Sequence, residues 1–187
     1  MPLIRLKSIT IVLSLLLLFT SCKKDSGNNA AATSLDYYIK FTLDGNDQLF
    51  TYNAEGNMNV PAGSNFIFTG AAVKVANIAT SNNLALSLSS TTQIKVNTTY
   101  VNYATASAGH ERAVLATVSY IDPTAVGFNS WGDEYKSSGI ISDSKISFSE
   151  ISTTNLKGSF AGTSYKSISG TAEKHVITKG EFKLKRR

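Results

Sequence analysis

The sequence contains few of the residues on which catalytic and metal centres depend. Among 187 residues there are one cysteine and two histidines, so a cysteine-rich zinc site and a site built from three histidines are both excluded. Gly-x-Ser-x-Gly, Walker and dinucleotide-binding motifs do not occur, and Val114 stands where a zinc-protease motif starting at His110 would need its second histidine. We therefore expect no enzymatic activity, no cofactor and no bound metal.

Long apolar runs and prolines are also scarce. The three prolines exclude a proline-rich stalk and a collagen-like chain. The longest apolar run covers residues 9–19, which is too short for a membrane-spanning helix of about 20 residues. Because Arg5 and Lys7 precede it, the run has the charged start and apolar centre of a secretory signal peptide.

Cys22, the single cysteine, follows the small residues Thr20 and Ser21 at the end of that run. This stretch resembles the lipobox of bacterial lipoproteins. The resemblance implies cleavage between Ser21 and Cys22, a diacylglyceryl group on the Cys22 thiol and an acyl chain such as palmitate on the new amino terminus. Two or three acyl chains anchor a protein stably in a membrane. We expect a signal peptide over residues 1–21 and a lipidated, flexible tether over 22–36.

Lys23 directly after Cys22 favours an outer-membrane location, on either the periplasmic or the surface face, by analogy with lipoprotein sorting. No other cysteine remains after cleavage, so a disulfide cannot stabilise the mature chain.

Alternation of apolar and polar residues recurs from residue 37 to the end of the chain and predicts β-strands. Asp44-Gly45-Asn46-Asp47 predicts a hairpin turn between Tyr37–Leu43 and a returning strand at Leu49–Tyr52, and Asp122-Pro123 ends a later strand. Further alternating runs occur at Phe66–Thr69, Val73–Ile78, Leu84–Ser90, Ile94–Tyr100, Ala113–Ile121, Lys145–Ile151, Asn155–Gly162, Lys174–Thr178 and Glu181–Lys185. About ten short strands predict an all-β fold, an antiparallel β-sandwich over residues 37–187, with a closed barrel as the alternative.

Two segments near the end of the chain combine glycine and phenylalanine at fixed spacings: Gly158-Ser159-Phe160-Ala161-Gly162 and Ile177-Thr178-Lys179-Gly180-Glu181-Phe182. They resemble the closing strands, Gly-x-Phe-x-Gly and Ile-Thr-x-Gly-x-Phe, of small uncharacterised lipoproteins of the Bacteroidetes type. Phe41-Thr42-Leu43-Asp44-Gly45 resembles the opening strand and turn of the same family. The resemblance implies an all-β domain behind a lipobox, and it implies no activity because that family has no assigned reaction.

The segment around the only tryptophan is the strongest candidate binding site. Trp131 lies between Phe128 and Tyr135, and the acids Asp133 and Glu134 stand beside it. Aromatic rings stack on the C–H faces of sugars while carboxylates accept hydrogen bonds from sugar hydroxyls, so this composition suits a glycan. The alternative is that the large Trp131 ring anchors the loop on the core.

Charge is divided unevenly along the chain. Residues 35–135 contain four Lys or Arg and eight Asp or Glu, whereas residues 136–187 contain ten and four. Lysines in the basic segment 136–187 can protect sheet edges from aggregation. Alternatively, the basic end of the chain contacts anionic lipid or acidic glycans. Because no aromatic residues are interleaved with the basic ones, we expect no nucleic-acid partner. A calcium site at Asp122, Asp133 and Glu134 is a further, weaker alternative.

The sequence thus favours a lipid-anchored, non-catalytic binding or adhesion module for glycans or other envelope components, with the membrane as its partner through the lipid anchor. One alternative is a structural or accessory outer-membrane protein that acts through protein partners and sheet edges. Another is a barrel-type carrier of a small apolar ligand, which requires an open cavity of at least about 300 Å³ lined by Phe66, Phe68, Leu86 and Leu88.

Overall fold

The structure, a computed structural model, describes residues 36–59, 65–76, 81–103, 109–166 and 173–187. The predicted signal peptide (1–21), Cys22 and all but the last residue of the predicted tether (22–36) lie outside these residues. Within the described part of the chain, no helix combines the length and the apolar character that crossing a membrane would require.

The described residues form twelve strands and one short 3₁₀ helix, so the prediction of an all-β fold is confirmed. The strands are β1 (Tyr38–Leu43), β2 (Asn46–Phe50), β3 (Tyr52–Asn59), β4 (Phe66–Val73), β5 (Asn83–Ser90), β6 (Thr99–Val101), β7 (His110–Arg112), β8 (Leu115–Ile121), β9 (Gly127–Asn129), β10 (Lys145–Ile151), β11 (Asn155–Tyr165) and β12 (Lys174–Arg186). The 3₁₀ helix, Asp133–Ser138, lies between β9 and β10.

These strands belong to one sheet with the order β2-β1-β12-β3-β4-β5-β8-β9-β11-β10-β6-β7. β11 also pairs with β12. The strands β12, β3, β4, β5, β8, β9 and β11 therefore form a closed ring, in that order. The hairpin β1–β2 extends outward from β12, and β10, β6 and β7 extend outward from β11. The pairings are antiparallel except those of β3 with β12 and of β6 with β7, so the sheet is mixed rather than wholly antiparallel.

The core is a cluster of buried side chains from many of these strands, and the strand pairing is compatible with the predicted sandwich and with the barrel alternative. Phe68 of β4 contacts Phe148 of β10 with ring centroids 4.9 Å apart, and it contacts Phe182 of β12 with centroids 5.7 Å apart. Leu86 and Leu88 of β5 are fully buried beside them. Each such side chain stabilises the fold by about 1.5–3 kcal/mol. Of the four residues expected to line the cavity of an apolar-ligand carrier, Phe68, Leu86 and Leu88 are buried in this core and Phe66 packs against it.

The turn between β1 and β2 has the geometry that its sequence predicts. Asp44 and Gly45 have φ angles of 49° and 86°, and Leu43 pairs directly with Asn46. A two-residue hairpin turn favours positive φ at both of its central positions, which glycine adopts without strain. Because the turn takes only these two residues, β2 starts at Asn46 rather than at Leu49.

The predicted strand Ile94–Tyr100 is wrong, because β6 covers only Thr99–Val101 and Val96 makes an isolated bridge to Phe148. Two further predicted boundaries are wrong in an informative way. β4 is one strand to Val73, followed by bends at residues 74–76, where the sequence predicted a new strand from Val73 to Ile78. The predicted strands Lys174–Thr178 and Glu181–Lys185 are a single strand, β12. A bulge at Lys179, whose φ is 51°, lets this strand continue past the interruption in its alternation.

Phenylalanine and glycine pair reciprocally where β11 meets β12. Phe160 lies opposite Gly180, and Phe182 lies opposite Gly158. A Cβ atom on Gly180 would stand 2.7 Å from the Phe160 ring, and one on Gly158 would stand 2.5 Å from the Phe182 ring. Each ring therefore covers the glycine of the other strand, an arrangement that fixes strand register. This packing accounts for the spacing of glycine and phenylalanine in both segments.

Candidate functional site

The loop that contains Trp131 is held against the sheet by buried hydrogen bonds. The Oγ of Ser130 accepts a hydrogen bond of 2.8 Å from the Val118 amide, and the Ser130 amide donates to the Val118 carbonyl at 3.1 Å. The Nδ2 of the buried Asn102 donates to the carbonyl of Trp131 at 2.8 Å. These bonds set the position of Trp131 before the chain enters the 3₁₀ helix at Asp133.

Trp131 and Tyr135 form an aromatic corner at the start of this helix. Their ring centroids are 5.2 Å apart and their planes meet at 69°, an edge-to-face contact. Both side chains are half-buried, and Trp131 does not belong to the cluster of buried core residues within the described chain. The Trp131 side chain is thus partly buried against Tyr135 near the surface, outside the central core.

The aromatic corner forms one wall of a cleft of about 440 Å³ beside β8 and β9. Val114 and Leu115, which are 61% and 45% exposed, supply further apolar surface. Polar and charged side chains complete the lining: Asn102, Arg112, Thr117, Ser119, Asn129, Ser130 and Glu134. A cleft of this size with an aromatic corner and a mixed set of donors and acceptors suits a small polar ligand that also has apolar faces.

The Trp131 indole N–H is a further polar group in this region. Its Nε1 is shielded from solvent and has no hydrogen-bond partner within the described residues. Leaving a shielded donor unpaired costs about 1–3 kcal/mol. The described residues do not offset this cost, because none of them accepts a hydrogen bond from the indole N–H.

Phe128 does not belong to the cleft, contrary to its grouping with Trp131 in the sequence. It is 5% exposed, and its ring packs against His175 and Tyr120 with centroids 4.3 and 6.3 Å away. Successive residues of a strand point to opposite faces, so Phe128 enters the core while the next residue, Asn129, faces the cleft. Asp133 starts the 3₁₀ helix and does not line the cleft, whereas Glu134 does.

Several cleft residues come from β7 and β8, which the sequence did not link with Trp131. The outward positions of β8 are Leu115, Thr117, Ser119 and Ile121. The first three line the cleft, and among them the exposed Leu115 departs from the polar character of the other two. An apolar residue on the polar face of an alternating strand is the signal that could have pointed to this surface. Arg112 gave no such signal, because only the fold brings β7 beside the loop.

A second cluster joins the β1–β2 turn to β12. The Nδ1 of His175 lies 2.5 Å from Oδ2 of Asp44, and Oδ1 of Asp44 accepts a hydrogen bond of 2.8 Å from the Val176 amide. Partial burial raises the pKa of Asp44, but these two partners outweigh it and hold the pKa below its ordinary value. The cluster is a structural clamp between two distant segments.

The calcium alternative gains no support from the geometry. The Oδ1 of Asp122 accepts hydrogen bonds from the amides of Thr124 and Val126 and from the Thr124 hydroxyl. The Val126 bond is the main cause of a lowered pKa of Asp122. Among the described residues, no group of three or more His, Cys, Asp or Glu side chains is placed to hold a metal ion.

Comparison adds no relative from which a function could be transferred. The resemblance to Bacteroidetes-type lipoproteins rests on the short segments described above, and it stays a prediction. No protein-family model, no curated protein and no solved structure matches this chain.

Proposed function

We propose that this protein is a lipid-anchored, non-catalytic protein of the outer membrane whose β domain binds a neutral glycan in the Trp131 cleft. The observation that carries the proposal is the edge-to-face contact of Trp131 with Tyr135 at the wall of the 440 Å³ cleft. The anchor is Cys22, which lies outside the described residues. The proposal for the anchor therefore rests on the sequence, and the proposal for binding rests on the cleft.

The aromatic corner supplies the contacts that a sugar ring requires. One face of a pyranose carries C–H groups, which pack on an aromatic ring, and large rigid aromatics provide contact area at low cost in conformational entropy. Val114 and Leu115 extend this apolar surface along the cleft. The buried hydrogen bonds of Ser130 and Asn102 hold the loop in place, so little ordering is needed when a ligand binds.

The polar lining supplies hydrogen bonds of both kinds. Arg112 donates, Glu134 accepts, and Asn102, Thr117 and Asn129 provide both functions. Sugar hydroxyls donate and accept at once, so they match such a mixed set.

The distribution of acids supports binding rather than hydrolysis. Glycoside hydrolysis generally uses two carboxyl groups on opposite sides of the scissile bond. Among the described residues that line the cleft, Glu134 is the one carboxylate.

The test is isothermal titration calorimetry on the full-length chain in detergent micelles, with malto-, cello- and chitohexaose as probes. We expect saturable binding of at least one hexasaccharide and an affinity about ten-fold lower for Tyr135→Ala, which removes half of the aromatic corner. Tyr52→Ala is the matched control, because Tyr52 is a 48% exposed tyrosine on β3 outside the cleft.

Equal weakening by both substitutions would refute the assignment to the cleft. Absence of binding by all three probes would also count against the proposal. It would favour the alternative of a protein partner at the open edges, β2 and β7.

A further inference from the structure

A row of polar side chains crosses the outer face of the sheet, away from the core. Cross-strand pairing places Thr99 opposite Ser147, Ser147 opposite Ser159, and Ser159 opposite Glu181. At one end of the row, Thr99 also pairs with His110 of β7. Since neighbouring strands are about 4.8 Å apart, the row from Thr99 to Glu181 is roughly 14 Å long. We call Thr99, Ser147 and Ser159 the hydroxyl row.

The hydroxyl row lies in a chain of adjoining depressions rather than on a flat surface. Two depressions of about 320 and 630 Å³ are both lined by the three residues of the row. A third, of about 430 Å³, shares Lys179 with the first and Glu181 with the second. Together these depressions form an outer groove that runs across β6, β10, β11 and β12 to β1. It shares no lining residue with the Trp131 cleft.

The groove has an excess of one positive charge, because Lys40, Lys145 and Lys179 line it together with the two acids Asp47 and Glu181. Lys145 and Lys179 line it, and neither makes an ion pair with another described residue. The acid that lines it beside the row, Glu181, is already paired with Lys40 at 2.8 Å. The fold therefore leaves two exposed cations without an ion-pair partner beside the hydroxyl row, in which the Ser147 and Ser159 hydroxyls bond to each other at 2.8 Å.

We propose that the outer groove binds a linear acidic polysaccharide, whose carboxylate groups pair with Lys145 and Lys179 while its hydroxyls bond to the hydroxyl row. A chain that crosses the strands follows the row from one depression to the next. A flat anionic membrane would meet the lysines but would not reach hydroxyls that line depressions. The site is separate from the proposed neutral-glycan cleft and stands or falls independently of it.

Lys179 permits a test that separates binding from folding. Its φ of 51° lies in the left-handed region, which costs a residue with a side chain about 1–2 kcal/mol and costs glycine little. Lys179→Gly therefore removes the charge without straining the backbone, and we expect an unchanged or higher melting temperature. Lys145→Gln removes the other unpaired positive charge of the groove. Lys145 is the first residue of β10, and its side chain is exposed.

The experiment is calorimetric titration of the full-length chain in micelles of uncharged detergent with hexagalacturonate at low salt. We expect saturable binding that weakens with added salt, and an affinity about five-fold lower for each of the two lysine variants. Fully methyl-esterified hexagalacturonate, which has the same backbone without charges, should bind much more weakly. Lys136→Gln, an exposed lysine of the 3₁₀ helix, is the matched control and should bind like the unchanged protein.

Three results would overturn the proposal. Equal affinity for the esterified and the free acid would show that charge does not matter, and equal weakening by Lys136→Gln would show that the groove does not matter. Absence of hexagalacturonate binding would also overturn it, and binding to phosphatidylglycerol vesicles that the Lys145 and Lys179 variants lose would then assign the lysines to a membrane surface.

Discussion

Phe182 of β12 lies directly opposite Gly158 of β11, and its ring occupies the space where a side chain on that glycine would stand. A Cβ at Gly158 would also overlap the backbone carbonyl oxygen of Ser147 on the neighbouring strand, β10. Gly158 thus allows three strands to approach closely while a large ring crosses the gap. The same three strands carry the outer groove, so this packing positions a proposed site as well as the core.

Gly158→Ala should therefore be strongly destabilising. The added methyl group must displace either the Ser147 backbone or the Phe182 ring, and overpacking of this kind costs about 1–3 kcal/mol. Gly127→Ala is the control, because a Cβ there meets no atom within 4 Å. We expect its free energy of unfolding to be unchanged or higher by up to about 1 kcal/mol. Urea denaturation of both variants checks this, and similar stabilities would contradict the described packing of β11 and β12.

The contact of Asp44 with His175 predicts a pH-dependent contribution to stability. The pKa of Asp44 is lowered from 3.8 in the folded state, so the ionised carboxylate stabilises the fold above about pH 4. This contribution is lost as the pH falls through the folded-state pKa. Because the side chain of Asp44 is 44% exposed, solvent screens the pair, and we expect only about 0.5 kcal/mol.

Asp44→Asn isolates the charge, because asparagine tolerates the left-handed backbone of this turn and can still accept the Val176 hydrogen bond. The variant should be less stable than the unchanged protein at pH 7 and equally stable near pH 3. A difference of the same size at both pH values would mean that the charge of Asp44 contributes nothing.

The fold class could be predicted because alternation is a local property, but the ring of strands could not. The end of β4 at Val73 was not predicted, because Gly70 and Ala72 face the core together with Phe68. Residues this small do not produce a recognisable alternation of apolar and polar side chains. The parallel pairing of β3 with β12 joins Glu55 to Lys185. A contact between segments so far apart in the chain leaves no local pattern in the sequence.

The candidate site was predictable only in part, for a similar reason. The adjacency of Trp131, Glu134 and Tyr135 in the chain was enough to suggest a common surface, which the structure shows. The direction of Phe128 was not predicted, because it depends on the start of a three-residue strand, too short for alternation to identify. Arg112 reaches the cleft through tertiary structure alone.

The lipid anchor is testable independently of the β domain. Cys22→Ser removes the only thiol in the chain, so cells fed radiolabelled palmitate should incorporate label into the unchanged protein and not into the variant. The variant should also leave the membrane fraction or accumulate with its signal peptide uncleaved. Unchanged labelling and membrane association of Cys22→Ser would contradict the lipoprotein prediction.

The most direct test of the proposed glycan cleft uses the fluorescence of Trp131, which is the only tryptophan in the chain. Because its ring lies at the wall of the cleft, a sugar stacked there must change its surroundings. We predict a saturable change in emission during titration with the hexasaccharide that binds in calorimetry, with the same dissociation constant and with weaker binding in Tyr135→Ala. Calorimetric saturation with no change in emission would place the sugar elsewhere and contradict the account.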